Sequence, residues 1–351
     1  MKFKKVLSDK RIPIPTPNDC IDENGKAIFG TFKTEFPNMN FLDIHKQSIL
    51  PDFTNKLRYT SWEALEMNFD DILFLTAVCN MGTFGTSLTI IYDKKEKKCH
   101  ACQAFMLPSQ AIISKNLLDG AITESKSFLN KVKFVNDFGN GKAFVSGRTL
   151  KPGCIFKYDV KLTRVSQPSI VMIPFGKNKP LYSQKDLFKV DGYVKFNGKK
   201  YKAKKYTTAI IDDHRGYYPY KSHYDWVTTM GTNTVNGKKQ FFGFNLTRNQ
   251  SINQDDYNEN LIWFEGASSR LTPVKFVHEE ENLWHIIDEH GMVDVYFEIG
   301  DRHHMKLNLG FIYEDYHITF GEIRGFVMDE DGNKYILDGM CGIGEDKTLR
   351  I

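Results

Sequence analysis

The sequence predicts a nearly all-β protein folded as two successive antiparallel barrels or sandwiches, with few short helices. Three observations predict it. The first is a clear period-two alternation: Phe156, Tyr158, Val160 and Leu162 alternate with Lys157, Asp159 and Lys161, so one face is buried and the other wet. The second is a repeated turn signal between such runs, Asn24-Gly25, Asn140-Gly141, Asn197-Gly198, Asn236-Gly237 and Asp331-Gly332. These pairs tolerate the positive φ angles that tight hairpins require. The third is length: 351 residues exceed one typical core, and a prior of about 150 residues per domain suggests two.

From the start of the chain, Pro13, Pro15 and Pro17 exclude regular structure and leave an extended arm. Helical periodicity is scarce: Ser61 to Met67 and Ser109 to Leu118 are the two candidate helices. Neither alternates regularly with strands, which disfavours a parallel βαβ fold. The divide is expected just past the Asn197-Gly198 hairpin, giving an N-terminal barrel with its Pro-rich arm over 1–205 and a C-terminal barrel over 206–351. No low-complexity linker marks the join, so the halves should pack tightly.

Composition narrows the function classes. Hydrophobic residues make up 41% and charged residues 26%, an ordinary globular mixture. The net charge of +4 is small. The lysine groups at Lys94, Lys95, Lys97 and Lys98, and from Lys199 to Lys205, sit beside turn residues and read as solvated hairpin tips, not a nucleic-acid surface. No apolar h-region follows Met1, and the longest clean apolar run, Ile72 to Cys79, is far shorter than the roughly 20 residues of a membrane helix. A cytoplasmic location without stable membrane insertion is expected, with the six cysteines reduced.

The chemically dense stretch is Asp212-Asp213-His214-Arg215-Gly216-Tyr217-Tyr218-Pro219-Tyr220, followed by His223-Tyr224-Asp225-Trp226. An acid here could protonate a substrate, with aromatic faces stabilising developing positive charge. The competing interpretation is a barrel-closing network in which Arg215 pairs a buried carboxylate and Trp226 plugs one end.

A family resemblance rests on these residues. Gly192-Tyr193-Val194, Asn197-Gly198, Tyr201, Ile211-Asp212-Asp213-His214-Arg215-Gly216 and Trp226, with Phe320-Gly321-Glu322-Ile323-Arg324-Gly325, Asp338-Gly339 and Gly342-Ile343-Gly344-Glu345-Asp346, resemble the bacterial family of unknown function DUF2804 along the whole chain. The hairpin, acidic motif and tryptophan are also similar to the AttH-like and hydroxyneurosporene synthase (carotenoid hydratase) proteins. Those, with the tocopherol cyclases, have tandem lipocalin-like (calycin) barrels, and the resemblance implies that fold. It does not carry over a reaction, because fold does not fix function. Where AttH-like proteins have a tryptophan or bulky residue before the motif glycine, this chain has Arg215.

Further candidates lie in the C-terminal half. Asn245 sits among apolar neighbours in Phe242-Gly243-Phe244-Asn245-Leu246, and with Glu259 and Asn260 it could orient a polar head group in an apolar cavity. Glu322 and Glu345 offer carboxylates suited to acid–base work, and His317 is a pocket group by spacing. Cys99-His100-Ala101-Cys102 is not read as a metal or redox site, since strand alternation sends the two cysteines to opposite faces. His303-His304 is set aside because adjacent strand residues diverge. The nucleotide-binding and serine-hydrolase signatures are missing, so no cofactor and no metal are expected.

Three functions stand side by side. The first is binding of a hydrophobic small molecule, lipid or isoprenoid, in a pocket lined from the C-terminal barrel. Asp213 and Arg215 would be its polar anchor, with Tyr220 and Trp226 as its wall. The second is a cofactor-free hydratase, cyclase or isomerase with Asp213 as general acid and Tyr220 or Trp226 stabilising a carbocation. In the third, both barrels are filled by side chains and the protein acts through its surface.

Overall fold

The computed structural model describes residues 3–308, 310 and 313–350. Among them all regular structure is β apart from short 3-10 turns, arranged as two curled antiparallel sheets of fourteen and ten strands. The alternating segment forms the strand Phe156–Arg164 with the expected one-sided burial. Two of the expected turns have positive φ at both residues, Asn197 (43°) with Gly198 (93°) and Asn236 (50°) with Gly237 (73°). That is the geometry a two-residue hairpin needs to match the strand twist.

Both candidate helices are corrected. Ser61 to Met67 lies inside the strand Thr60–Asn68, and Ser109 to Leu118 contains only the end of a 3-10 turn, Pro108–Gln110, and the short strand Ala111–Ile112. The cause in the first case is burial on both faces. Leu65 and Met67 enter the first core, while Trp62, Ala64 and Glu66 line a cavity on the other side. A strand covered on both faces loses the simple alternation that distinguishes it from a helix.

The two sheets share one topology. In the first, Thr208–Gly216 pairs with both Thr60–Asn68 and Pro180–Phe196. In the second, Met340–Arg350 pairs with both Lys221–Val235 and Tyr313–Met328. Each sheet therefore places its last strand between its first long strand and a strand from its second meander. The change of sheet falls between Gly216 and Lys221, so the division expected after residue 205 does not coincide with it. The strand carrying the acidic motif belongs to the first sheet.

Each sheet encloses its own apolar core. Phe74, Phe134, Phe156, Tyr158 and Leu162 are among those filling the first; Phe242, Phe244, Trp284, Val295 and Phe297 are among those filling the second. A third cluster joins the sheets, with Leu75, Leu88, Leu187 and Ile210 meeting Trp226, Trp263, Ile318 and Ile343. The N-terminal arm spans both sheets. Cys20, Ile21, Phe32 and Phe36 pack on the first, Phe3 and Leu7 enter the second core, and buried Arg11 donates to the carbonyls of Asn260 and Leu271. No helix among the described residues is long and apolar enough to cross a membrane.

Candidate active site

Strands of the two sheets face one another across the join. Even-numbered residues of the first sheet's central strands (Trp62, Ala64, Glu66; Asp212, His214) meet Tyr224, Trp226, Glu314, Tyr316, Ile318, Glu345 and Lys347 of the second. They enclose two adjoining lobes of about 70 and 20 Å3, which share Trp62, Asp212, Tyr224 and Glu345. This cavity lies between the sheets and not inside the C-terminal barrel, where the sequence placed it; side chains fill the interior there.

The smaller lobe is a charged cluster. Lys185 lies 3.5 Å from Asp212, pairs with Glu259 and donates to Nε2 of His214 at 2.6 Å. An ammonium can only donate, so Nε2 accepts and the ring proton sits on Nδ1, a buried atom with no protein partner. Ser183 donates to Glu259 at 2.5 Å, and Trp62 packs on the His214 ring with centroids 4.7 Å apart. Burial raises the Glu259 carboxyl, but the Lys185 ammonium outweighs it and holds the group well below the usual carboxylate range. Burial likewise lowers Lys185, and Asp212 and Glu259 reverse it, so the ammonium stays charged.

The larger lobe is amphipathic. In it Glu345 accepts from Tyr224 at 3.0 Å and from Tyr316, and Lys347 pairs with Glu314 at 2.8 Å. Glu66 is 2% exposed, and its Oε2 has no hydrogen-bond partner. Burial, then the neighbouring charges of Asp212 and Glu345, push its carboxyl far above the ordinary value. Burial also raises Glu345, against the pull of the Tyr316 hydroxyl and Lys347. The lobe's apolar lining includes Leu75, Ala77, Leu88 and Met305, with Phe84 and Phe105. Their rings stand 6.3 Å apart, and Phe105 is 68% exposed.

The sequence-expected residues divide between this cavity and elsewhere. Trp226, Glu259 and Glu345 line it. Asn245 stands behind, accepting from the Trp226 indole at 2.6 Å and donating to the Glu259 carbonyl at 2.9 Å. Asp213 and Arg215 point the other way, into the first sheet. There they form a two-pronged pair at 2.7 and 2.8 Å, with Arg215 also donating to Ser114. Near them lies Glu63, whose carboxyl burial and the Asp213 charge push up to about 8. Tyr220 is 49% exposed and outside the cavity lining, and Glu322 pairs with Lys97 on the surface at 3.1 Å. His317 faces away from the cavity, stacked on His304. Sequence reasoning missed Glu66, Lys185, Asp212 as the cavity acid, His214 and Lys347.

The fold and cavity define a class: paired, curled antiparallel sheets that hold an acid-lined, partly apolar cleft between them. The chain belongs to the family described as "Domain of unknown function (DUF2804)", whose model matches residues 11–351. No curated protein sequence matches it. Among solved structures it is similar in fold to CghA crystallised with Sch210972, at 6% identity and a TM-score of 0.50, covering 95% of this chain and 97% of that one. Kievitone hydratase from Nectria haematococca aligns at 10% identity and a TM-score of 0.45, covering 83% and 88%. A putative AttH from Nitrosomonas europaea aligns at 14% and 0.43, covering 87% and 97%.

Proposed function

We propose that the cleft between the sheets takes up a hydrophobic small molecule with a polar end and runs cofactor-free acid–base chemistry on it: addition or removal of water, or ring closure. One observation carries this reading. Glu66 is a carboxyl 2% exposed in the cavity lining, its Oε2 has no hydrogen-bond partner, and burial raises it well above the usual carboxylate range. A neutral buried acid is the group needed to protonate an alkene, a carbonyl or a leaving hydroxyl near neutral pH.

In hydration, Glu66 would deliver its proton to one carbon of the double bond. Trp62, Tyr224 and Trp226 would stabilise the positive charge on the other. Water would add there and lose its proton to the Asp212 carboxylate, and transfer of that proton to the Glu66 carboxylate would restore both groups for the next turnover. Lys185, itself paired with Glu259, holds Asp212 and His214 in place, and Glu345 with its two tyrosines would bind the polar end. The acid role read for Asp213 thus passes to Glu66. CghA, of similar fold, is crystallised with Sch210972, which supports uptake of a ligand by this architecture. A cavity of about 70 Å3 holds a few waters, so a lipid-sized ligand enters by rotating Phe84 and Phe105.

The test begins with mass spectrometry of an organic extract from natively purified protein. Incubation of the identified molecule and its hydrated or cyclised derivatives with wild type and Glu66→Gln follows. Interconversion by wild type and loss of at least a hundredfold in the variant, with binding retained, is the expected result. Equal rates in the two proteins would overturn the role of Glu66. A ligand that binds and is never converted would reduce the cleft to a carrier site.

A further inference from the structure

We propose that His304, Asp315 and His317 form a binding site for a borderline divalent transition-metal ion of the zinc type, on the face of the second sheet opposite the cleft. His304 and His317 are direct cross-strand partners on Val293–Asn308 and Tyr313–Met328. Asp315 lies two residues before His317, so strand alternation puts all three side chains on one face. The imidazole rings stack with centroids 4.0 Å apart and planes 7° from parallel. Both Nε2 atoms converge on the same carboxylate oxygen, Oδ1 of Asp315, at 2.7 Å for His304 and 3.2 Å for His317.

That convergence has the dimensions of a metal site. The three donor atoms lie within 4.8 Å of one another. A tetrahedral ion about 2.0–2.1 Å from each donor spaces its ligands by about 3.3 Å, close to the 2.7 and 3.2 Å that separate the two Nε2 atoms from Oδ1 of Asp315. Two imidazoles and one carboxylate select zinc-like ions over calcium or magnesium, which take all-oxygen sets. Three protein donors leave a fourth position for water, the open kind of site.

The surroundings support the ligands. Tyr313 donates to the other Asp315 oxygen at 2.8 Å, and Lys306 lies 3.0 Å from it. Hydrogen bonds of this kind orient a ligating carboxylate. The strand carrying Asp315 and His317 is hydrogen-bonded on both sides, to Val293–Asn308 and to Met340–Arg350, which fixes the donors in a rigid frame. The neighbouring residues Tyr316 and Ile318 line the cleft, so the metal site and the cleft use alternate residues of one strand. Adjacent His303 and His304 do diverge, as strand geometry demands; the second imidazole comes from the next strand.

The test uses the full-length protein stripped with chelator and titrated with zinc chloride alone, followed by calorimetry and native mass spectrometry. Cobalt(II) absorption reports the geometry. One ion per chain with tetrahedral cobalt bands is expected. His304→Ala, His317→Ala and Asp315→Asn should each weaken affinity more than about tenfold, and Tyr313→Phe by roughly tenfold. His303→Ala, His223→Ala and the cleft variant Glu66→Gln should bind as wild type does. Circular dichroism checks the fold of each variant, and the near-isosteric Asp315→Asn keeps the comparison informative where a histidine variant fails to fold. Wild-type binding no tighter than that of Asp315→Asn, or binding lost on His223→Ala or His303→Ala instead, would overturn the proposal.

Discussion

Asp212 and Asp213 are consecutive residues of one central strand and serve opposite faces of the first sheet. Asp212 looks into the cleft, 3.5 Å from Lys185, whereas Asp213 grips Arg215 inside the sheet at 2.7 Å. The same four-residue motif therefore supplies cavity chemistry with Asp212 and His214, and a buried structural pair with Asp213 and Arg215.

Breaking that inner pair should cost stability, not chemistry. Arg215→Ala strands the buried Asp213 carboxylate and should destabilise the protein by about 3–5 kcal/mol. Chemical denaturation measures it, and a loss below about 1 kcal/mol would contradict a buried, uncompensated charge.

Glu63 makes stability depend on pH. In the unfolded chain it titrates near the ordinary value of about 4.3, and in the folded protein it keeps its proton up to about 8. Folding takes up a proton between those values. This contribution is fully present at low pH and is lost as pH rises through the window. Glu66, raised by burial in the same direction, adds to it. Thermal unfolding followed from pH 5 to pH 9 should show a falling midpoint for wild type and a flatter profile for Glu63→Gln.

The indole of Trp226 has a structural partner as well as a cavity face. Trp226→Phe removes the donor to Asn245 and leaves a buried amide oxygen unpaired, which should cost about 1–3 kcal/mol. Asn245 in turn tethers the Glu259 backbone, so ligand affinity should fall in both Trp226→Phe and Asn245→Ala. Equal affinity in the folded variants would separate Asn245 from the site.

Glu345 should behave differently from Glu66. Its two tyrosine donors orient it from one side, so the double variant Tyr224→Phe/Tyr316→Phe should weaken binding of the ligand's polar end while sparing the proton-transfer step. A rise in KM of about tenfold with kcat within threefold is the expected steady-state signature of lost ground-state binding. A fall in kcat alone would place Glu345 in the chemical step instead.

The strand architecture was legible because Phe156–Arg164 has one dry and one wet face, and because Asn197-Gly198 and Asn236-Gly237 announce their hairpins. The cleft was not legible, for a related reason. Thr60–Asn68 and Thr208–Gly216 are buried on both faces, so alternation carries no signal there. Without it nothing in the sequence says whether Asp212 or Asp213 faces the cleft. Glu66 was hidden further by reading its segment as a helix. Taken as a strand, the spacing of Trp62, Ala64 and Glu66 would have placed the three on one face. Lys185 and Lys347 escaped notice because lysine reads as solvent-exposed, and only a partner from the chain far away, Glu259 or Glu314, makes burial tolerable. Glu345, Glu259 and Trp226, which the sequence singled out beside glycines, polar residues and aromatics, do line the cavity.

The N-terminal arm imposes an order on biosynthesis. Phe3 donates its amide to Glu330, Ser8 binds Asp256, and Arg11 caps the carbonyls of Asn260 and Leu271. These arm residues thus wait for partners made some 250 to 330 residues later. Until then Phe3 and Leu7 have no core to enter. The arm, made before its partners, is locked only after them, and its docking reports that the second sheet has been made at least as far as Glu330.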